Sequence, residues 1–294
     1  MTRERLAFIG NPASVHYLIG RELVARGYEV KIIDQKSVLT TNEFDRSSRP
    51  SLAARAVHKY ARWASLEPTY DVELRSFSTP YVKARHRAII YHGSDLRDGL
   101  MPREYPAFYT TKDLAQYVDG EAVWLPRCAY TDIFTPQPRL PVKDEIVVGH
   151  FPSDPKYKGT ELVLEAVRLL SSGDNRKIKV RLLMEKRPHE QMPQLIKQCH
   201  VVCDQFLYGA YGVLGIESLM MNRPIVCYVR PEFFDYDEMK GQIVNCEPTP
   251  EGIAEAILRA VDHPVDAELV RDLYSPRRSA DILEGALRSW GYLK

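Results

Sequence analysis

The opening stretch of the chain limits its architecture most, because residues 6–33 read as strand, tight turn, helix and strand. Leu6 to Ile9 is a short apolar run ending in Gly10-Asn11-Pro12. Val15 to Arg26 then carries apolar side chains at helical spacing (Val15, Leu18, Ile19, Leu23) until Gly27 stops it. Val30, Ile32 and Ile33 follow as a buried strand. A strand-helix-strand unit of this length is a crossover, which makes its strands parallel and covers both sheet faces.

The rhythm continues through apolar runs at Tyr70 to Leu74, Ala88 to Tyr91, Ala107 to Tyr109 and Ala122 to Leu125, which suit one doubly wound sheet. Phe134 to Pro141 interrupts it, and three prolines within Pro136 to Pro141 predict an interdomain linker. The pattern then restarts. Ile146 to Gly149, Ile178 to Met184, Val201 to Cys203, Ile225 to Val229 and Ile243 to Cys246 read as strands. Gly159 to Leu170, His189 to Gln198, Val213 to Met221 and Pro250 to Val261 read as helices. Two tandem Rossmann-like α/β domains, residues 1–141 and 142–275, fit better than one large sheet, and the cleft between two such domains is the default ligand site. A last helix is expected over Arg278 to Trp290, within residues 276–294.

Composition narrows the functional classes. In 294 residues, 45% are hydrophobic and 27% charged, which excludes disordered and collagen-like chains. Forty basic against 39 acidic residues leave a formal charge of +1, so no global field argues for a nucleic-acid partner. The balance hides an asymmetry, with 20 basic and 16 acidic residues up to position 141 and 20 basic and 23 acidic after it. No apolar run approaches the roughly 18 residues of a membrane span, and the N-terminus lacks a signal-peptide pattern, so a cytoplasmic protein is expected. The five cysteines (Cys128, Cys199, Cys203, Cys227, Cys246) offer one CxxxC pair with no second pair or histidine cluster to complete a zinc site. They read as reduced, mostly buried thiols.

Two segments carry chemistry. Tyr208 to Glu217 (YGAYGVLGIE) follows a strand ending in Asp204-Gln205 and brings Gly209 and Gly212 to the start of a helix. Free amides and the positive dipole end make such a start fit for phosphate, and Glu217 stands one or two turns in, where it would reach sugar hydroxyls. His150 to Thr160 (HFPSDPKYKGT) likewise joins a strand to a helix, with Ser153 as a hydroxyl donor and Lys158 placed to neutralise a diphosphate. Taken alone, the first is a Gly-rich strand-to-helix turn and the second a surface lysine.

Together the residues are more specific. The series KGTELVLEAV, MEKRPHEQMPQLIKQCHVVCDQ and GAYGVLGIESLMMNRPIV, with HGSDLR at His92 to Arg97, YTTKDL, and WLPRCAYTDIFTP, resembles the family 4 glycosyltransferases of GT-B fold over most of the chain and in the right order. The resemblance implies that Lys158, with Gly159 beside it, binds the donor diphosphate. It implies that Glu217 holds the nucleotide ribose, and that the backbone at Tyr211, Gly212 and Val213 cradles phosphate and donor sugar. His92 would lie near the transferred sugar, with Asp95 in the same acceptor-side motif, and Gly10 and Asn11 would help close the site. It also implies a last helix that crosses back to the first domain, retention of anomeric configuration, and a nucleotide-sugar co-substrate with no cofactor. Two departures stand out: Gly209 replaces the first glutamate of Glu-x7-Glu, and Ser153 replaces an arginine five residues before the lysine. They mark a variant subgroup resembling enzymes of polysaccharide clusters. Asp235-Tyr236-Asp237 has the spacing of an Asp-x-Asp metal site but lies in an acidic loop beyond a strand.

Partners and alternatives complete the picture. Arg55, His58, Lys59 and Arg62 fall on one helix face opposite Val57, Tyr60, Ala61 and Ala64, and Arg46 to Leu66 holds no acidic residue. Such a helix would dock on anionic lipid at the inner membrane face or hold a lipid phosphate. Its other reading is a solvated face on a packing helix. Two other classes compete with a glycosyltransferase acting on a glycan, glycolipid or small-molecule acceptor. One is a catalytically silent sugar-binding homologue, motivated by Gly209 and Ser153. The other is a nicotinamide-dependent oxidoreductase, which GNPAS in place of GxGxxG disfavours.

Overall fold

A computed structural model describes residues 3–10, 15–33, 38–40, 69–76, 82–97, 106–118, 122–172, 179–234 and 238–294. The chain forms two compact units, Met1–Cys128 with Ser275–Lys294, and Ala129–Tyr274.

In the first unit, β1 (Arg5–Ile9), α1 (Val15–Ala25), β2 (Glu29–Ile33), β3 (Val38–Thr40), β4 (Tyr70–Arg75), β5 (Ala84–Tyr91), α2 (Ser94–Arg97), β6 (Ala107–Tyr109) and β7 (Ala122–Trp124) follow in order. The sheet order is β3-β2-β1-β4-β5-β6-β7, parallel except for the antiparallel edge pair β2 and β3. Val38–Thr40 has no counterpart in the expected elements, because three residues are too few to show a period. β1 and β4 are buried almost throughout, the signature of a strand covered on both faces. β5 instead alternates between exposed and half-buried positions over Ala84 to Arg87 before its four buried residues, so its first half stands at the sheet's wet margin. The chain leaves β1 toward β2 and returns to β4 on β1's other side, which makes the carboxyl ends of β1 and β4 the topological switch point.

The second unit is wholly parallel, with sheet order β12-β11-β10-β8-β9. Its elements are β8 (Glu145–His150), α3 (Pro155–Lys158), α4 (Thr160–Ser172), β9 (Lys179–Leu183), α5 (Met192–Ile196), β10 (Val201–Cys203) and α6 (Val213–Met220). They continue with β11 (Ile225–Cys227), α7 (Pro231–Phe234), β12 (Ile243–Asn245), α8 (Pro250–Ala260) and α9 (Ala267–Leu273). Successive strand residues serve different cores: Val147, Val202, Ile225 and Cys227 join one apolar cluster, and Ile146, Val148, Val201, Cys203 and Val226 the other. Period-two alternation into two dry layers explains why these strands read as unbroken apolar runs. Here the switch point lies between β8 and β10.

Three expectations change. Residues 129–141 belong to the second unit rather than closing the first. Phe134, read as the start of a linker, is fully buried among side chains that include Leu219 and Met220, and Ala129 N–H donates to the Tyr274 carbonyl. The prolines stop regular structure here, but an aromatic side chain still finds a core. The helix expected over His189 to Gln198 divides into a single 3-10 turn, His189–Gln191, and α5. Pro193 has no N–H to return to the His189 carbonyl, which the Met192 amide takes instead.

The last helix, α10 (Pro276–Ser289), is capped by Ser275, whose hydroxyl accepts from the Arg278 amide. It belongs to the first unit. Ala280, Leu283 and Leu287 are buried, Ser279 Oγ donates to the Pro126 carbonyl, and Glu284 pairs with Arg26 and accepts from Tyr28.

All five cysteines are free thiols, four buried and Cys246 half-buried. Among the described residues no helix is long and apolar enough to cross a membrane. Asn11, the basic helix with Arg55, Lys59 and Arg62, and Asp235 to Asp237 lie outside the described residues.

Candidate functional site

In the second unit the site is built where β8 and β10 end. Asp154 caps α3 by accepting from the Lys156 and Tyr157 amides at 3.0 and 3.5 Å, and Pro155 fits the first helical position. The short helix stops at Gly159, whose φ of 75° turns the chain into α4, and a Cβ there would stand 3.3 Å from Phe206 Cβ. This turn carries Lys158 inward. Its Nζ donates to Gln205 Oε1 at 2.6 Å and lies 3.5 Å from Asp204 Oδ1.

Asp204 and Gln205, just past β10, organise the opposite side. Asp204 is buried, and its other carboxylate oxygen accepts from the Gly212 amide, while Gln205 Nε2 donates to the Ala210 carbonyl. One pair of adjacent side chains thus holds Lys158 and the 210–212 loop together. The glycines are required by space: a Cβ on Gly212 would stand 2.9 Å from Lys158 Nζ, and one on Gly215 would stand 2.9 Å from Asp204 Oδ2. Gly212 is the residue before α6, and Val213 is its first residue. Tyr211 shares a hydroxyl hydrogen bond of 2.6 Å with Tyr274.

Gly209 has a φ of 74°, and the Arg230 side chain lies across it, with Nε 2.9 Å from where a Cβ would be. A glutamate there meets both a left-handed backbone and an occupied space. The absent first glutamate is therefore built into this loop's conformation. Ser153 is exposed and makes no side-chain hydrogen bond among the described residues, so the structure does not gather it to Lys158.

Glu217 sits inside α6 with 3% of its surface exposed, and Oε1 accepts from His189 Nε2 at 2.6 Å. Burial raises the Glu217 pKa, and the bond to His189 opposes that rise; the same bond raises His189. His189 was not singled out in the sequence, because 28 residues separate the pair. His150, at the end of β8, is fully buried, with Nδ1 2.9 Å from the Cys203 carbonyl and Nε2 2.9 Å from Thr160 Oγ1. It joins the ends of β8 and β10 to the start of α4.

In the first unit, Gly10, Ser76 and His92 follow β1, β4 and β5, three neighbouring strands. Gly10 has a φ of 87°, and its carbonyl accepts from His16 in the first turn of α1. Ser76 Oγ lies 3.1 Å from His16 Nε2 and 2.8 Å from His92 Nε2. Burial lowers the His16 pKa to about 4, and burial, His16 and Arg127 hold His92 well below the ordinary range. Arg127 donates to the His92 carbonyl and to Thr110 Oγ1. Asp95 lies on α2, just beyond His92. The structure therefore links Gly10 to His92 through two residues, His16 and Ser76, that no local motif marks. Among the described residues no group of three His, Cys, Asp or Glu side chains is placed to hold a metal ion.

Two Rossmann-like parallel sheets, covered over the whole chain by structural neighbours, define the GT-B glycosyltransferase fold. No family model matches the chain, and no curated protein matches it. Among solved structures, AviGT4, a glycosyltransferase involved in avilamycin A biosynthesis, is 11% identical with a TM-score of 0.64 over 98% of both chains. Anabaena HepE, solved with UDP-glucose, is 13% identical with a TM-score of 0.59, covering 98% of this chain and 100% of that one. The UDP-GlcNAc 2-epimerase of Methanocaldococcus jannaschii, solved with UDP-GlcNAc and UDP, is 12% identical with a TM-score of 0.50 over 98% and 100%. At such identities the likeness is one of fold.

Proposed function

We propose that the protein transfers a glycosyl group from a nucleotide-sugar donor to a glycan, glycolipid or small-molecule hydroxyl. The observation that carries this reading is the clamp of Asp204 and Gln205 on Lys158 and the 210–212 loop, set where β8 and β10 diverge.

An ammonium has three N–H donors, and the clamp engages two of them, which leaves one for a phosphate oxygen. As the bond from the anomeric carbon to the leaving diphosphate breaks, the carbon becomes oxocarbenium-like and negative charge builds on the diphosphate. Lys158 and the first amides of α6 meet that charge without a metal or other cofactor in the scheme. Because the clamp fixes Lys158 beforehand, little reorganisation is needed when the charge appears. Glu217 gives one oxygen to His189 and keeps the other for a ribose hydroxyl. His92, neutral at physiological pH, contributes hydrogen bonding rather than charge to the acceptor side. Transfer proceeds with retention of configuration, in the cytoplasm at or near the inner membrane face, where a lipid-linked acceptor would be met.

The fold comparison favours nucleotide-sugar binding more broadly than transfer, since the epimerase also shares the fold. Gly209 and Ser153 favour a second reading, binding without turnover. Thermal-shift measurements with UDP-, GDP- and dTDP-sugars, and NAD as control, test the binding step, because a ligand of the folded state raises Tm by mass action. One class of sugar nucleotide is expected to raise Tm, and Lys158→Ala to abolish the shift. A shift with NAD alone overturns the reading. Mass spectrometry of the products then separates transfer, epimerised sugar and unreacted donor.

A further inference from the structure

The polar cluster at the switch point of the first sheet fixes a proton position. His16 Nδ1 lies 2.6 Å from the Gly10 carbonyl oxygen, which can only accept, so the hydrogen is on Nδ1. His16 has no exposed surface, and in the neutral ring Nε2 then bears the lone pair. Ser76, also fully buried, brings one hydroxyl hydrogen between two ring nitrogens, at 3.1 Å from His16 Nε2 and 2.8 Å from His92 Nε2. Given to His16, that hydrogen leaves Oγ an acceptor toward His92, whose Nε2 must carry its own hydrogen. The reverse assignment sets the lone pairs of His16 and Ser76 against each other at 3.1 Å. A single backbone carbonyl therefore selects the tautomer of a ring two links away.

We infer that His16 and Ser76 are positioning residues that hold His92 as its neutral Nε2–H tautomer, with Nδ1 the acceptor for a hydroxyl of the sugar substrate. The groups facing His92 agree with neutrality: His16 stands 5.5 Å away, ring centroid to centroid, and the Arg127 guanidinium bonds the His92 carbonyl. Arg97, whose Nη1 would be 2.8 Å from a Cβ on the adjacent Gly93, engages Asp113 at 2.7 Å and Thr111 at 3.3 Å. A neutral acceptor suits an alcohol and disfavours a phosphate. The substrate half of this inference rests on the glycosyl-transfer reading; the tautomer half does not.

Long-range proton–nitrogen NMR on the full chain with labelled histidine tests it. His92 is expected to show a pyrrole-type Nε2 and a pyridine-type Nδ1 unchanged from pH 8 to pH 6. Ser76→Ala should divide the pyridine character between both nitrogens, and Ser76→Thr, which keeps the hydroxyl, should restore the single tautomer. A pyrrole-type Nδ1 in the unaltered protein, or spectra indifferent to Ser76→Ala, overturns the positioning role. Titration with UDP-glucose and UDP-GlcNAc should move the Nδ1 signal of the unaltered protein. If they raise Tm without moving it, the substrate half falls alone. If neither raises Tm and neither moves it, the substrate half and the glycosyl-transfer reading fall together.

Discussion

The two switch points place polar groups at the same topological position and fill them with opposite chemistry. Between β1 and β4 the cluster is a carbonyl, a hydroxyl and two rings that burial keeps neutral. Between β8 and β10 it is an ammonium against a buried carboxylate, with a second carboxylate and a histidine on α6 and its approach. Sheet topology decides where a site lies, and the side chains at the strand ends decide what it can bind. A neutral relay recognises hydroxyls by direction, whereas a charged clamp holds a cation ready for an anion.

The sharpest way to break this contrast is to remove the carboxylate of the charged cluster. Asp204→Ala leaves the Gly212 amide without its acceptor and Lys158 without its counter-charge, and should cost about 3 kcal/mol of stability, read from urea unfolding. Lys158→Met keeps the side-chain volume and removes the charge, so UDP affinity by calorimetry should fall about tenfold or more, roughly 1.5–3 kcal/mol, while the fold persists. An unchanged affinity would remove Lys158 from the donor site. Gly209→Glu, which restores the missing glutamate, should lower stability by about 1–2 kcal/mol rather than improve binding, because φ is positive and Arg230 fills the space. A stable variant with tighter donor binding would show that the loop rearranges freely.

The neutral cluster is sharpened by pH. The folded-state pKa of His16 is lowered to about 4 from 6.5, so between those values the unfolded chain binds a proton that the folded chain does not. His16 therefore contributes stability that is present above pH 6.5 and lost as pH falls toward 4. His16→Gln should flatten that part of the dependence of urea midpoint on pH. If the slope stays as steep, His16 is not the group that titrates.

Much of this was legible beforehand. Most strands of both sheets, the helix after Gly212 and the helical stretch after Gly159 follow from apolar period and breaker residues, which act over short chain distances. Lys158 and Gly212 stood out for the same reason, each lying at a strand-to-helix turn. The linker reading failed at Phe134 because prolines announce irregular backbone and say nothing of where an aromatic ring will be buried. Arg230 over Gly209 gave no signal either, being 21 residues away on another strand's exit.

By itself the sequence determined two parallel α/β sheets and which turns reach their carboxyl ends, because hydrophobic period and turn chemistry are local properties. Only the tertiary structure decided what those turns contain. Lys158 meets Asp204 across 46 residues, His16 meets Ser76 across 60, and Glu217 meets His189 across 28. The charge or proton each group holds depends on burial and on its partner's oxygen or nitrogen, and these exist only once neighbouring strands have ended side by side.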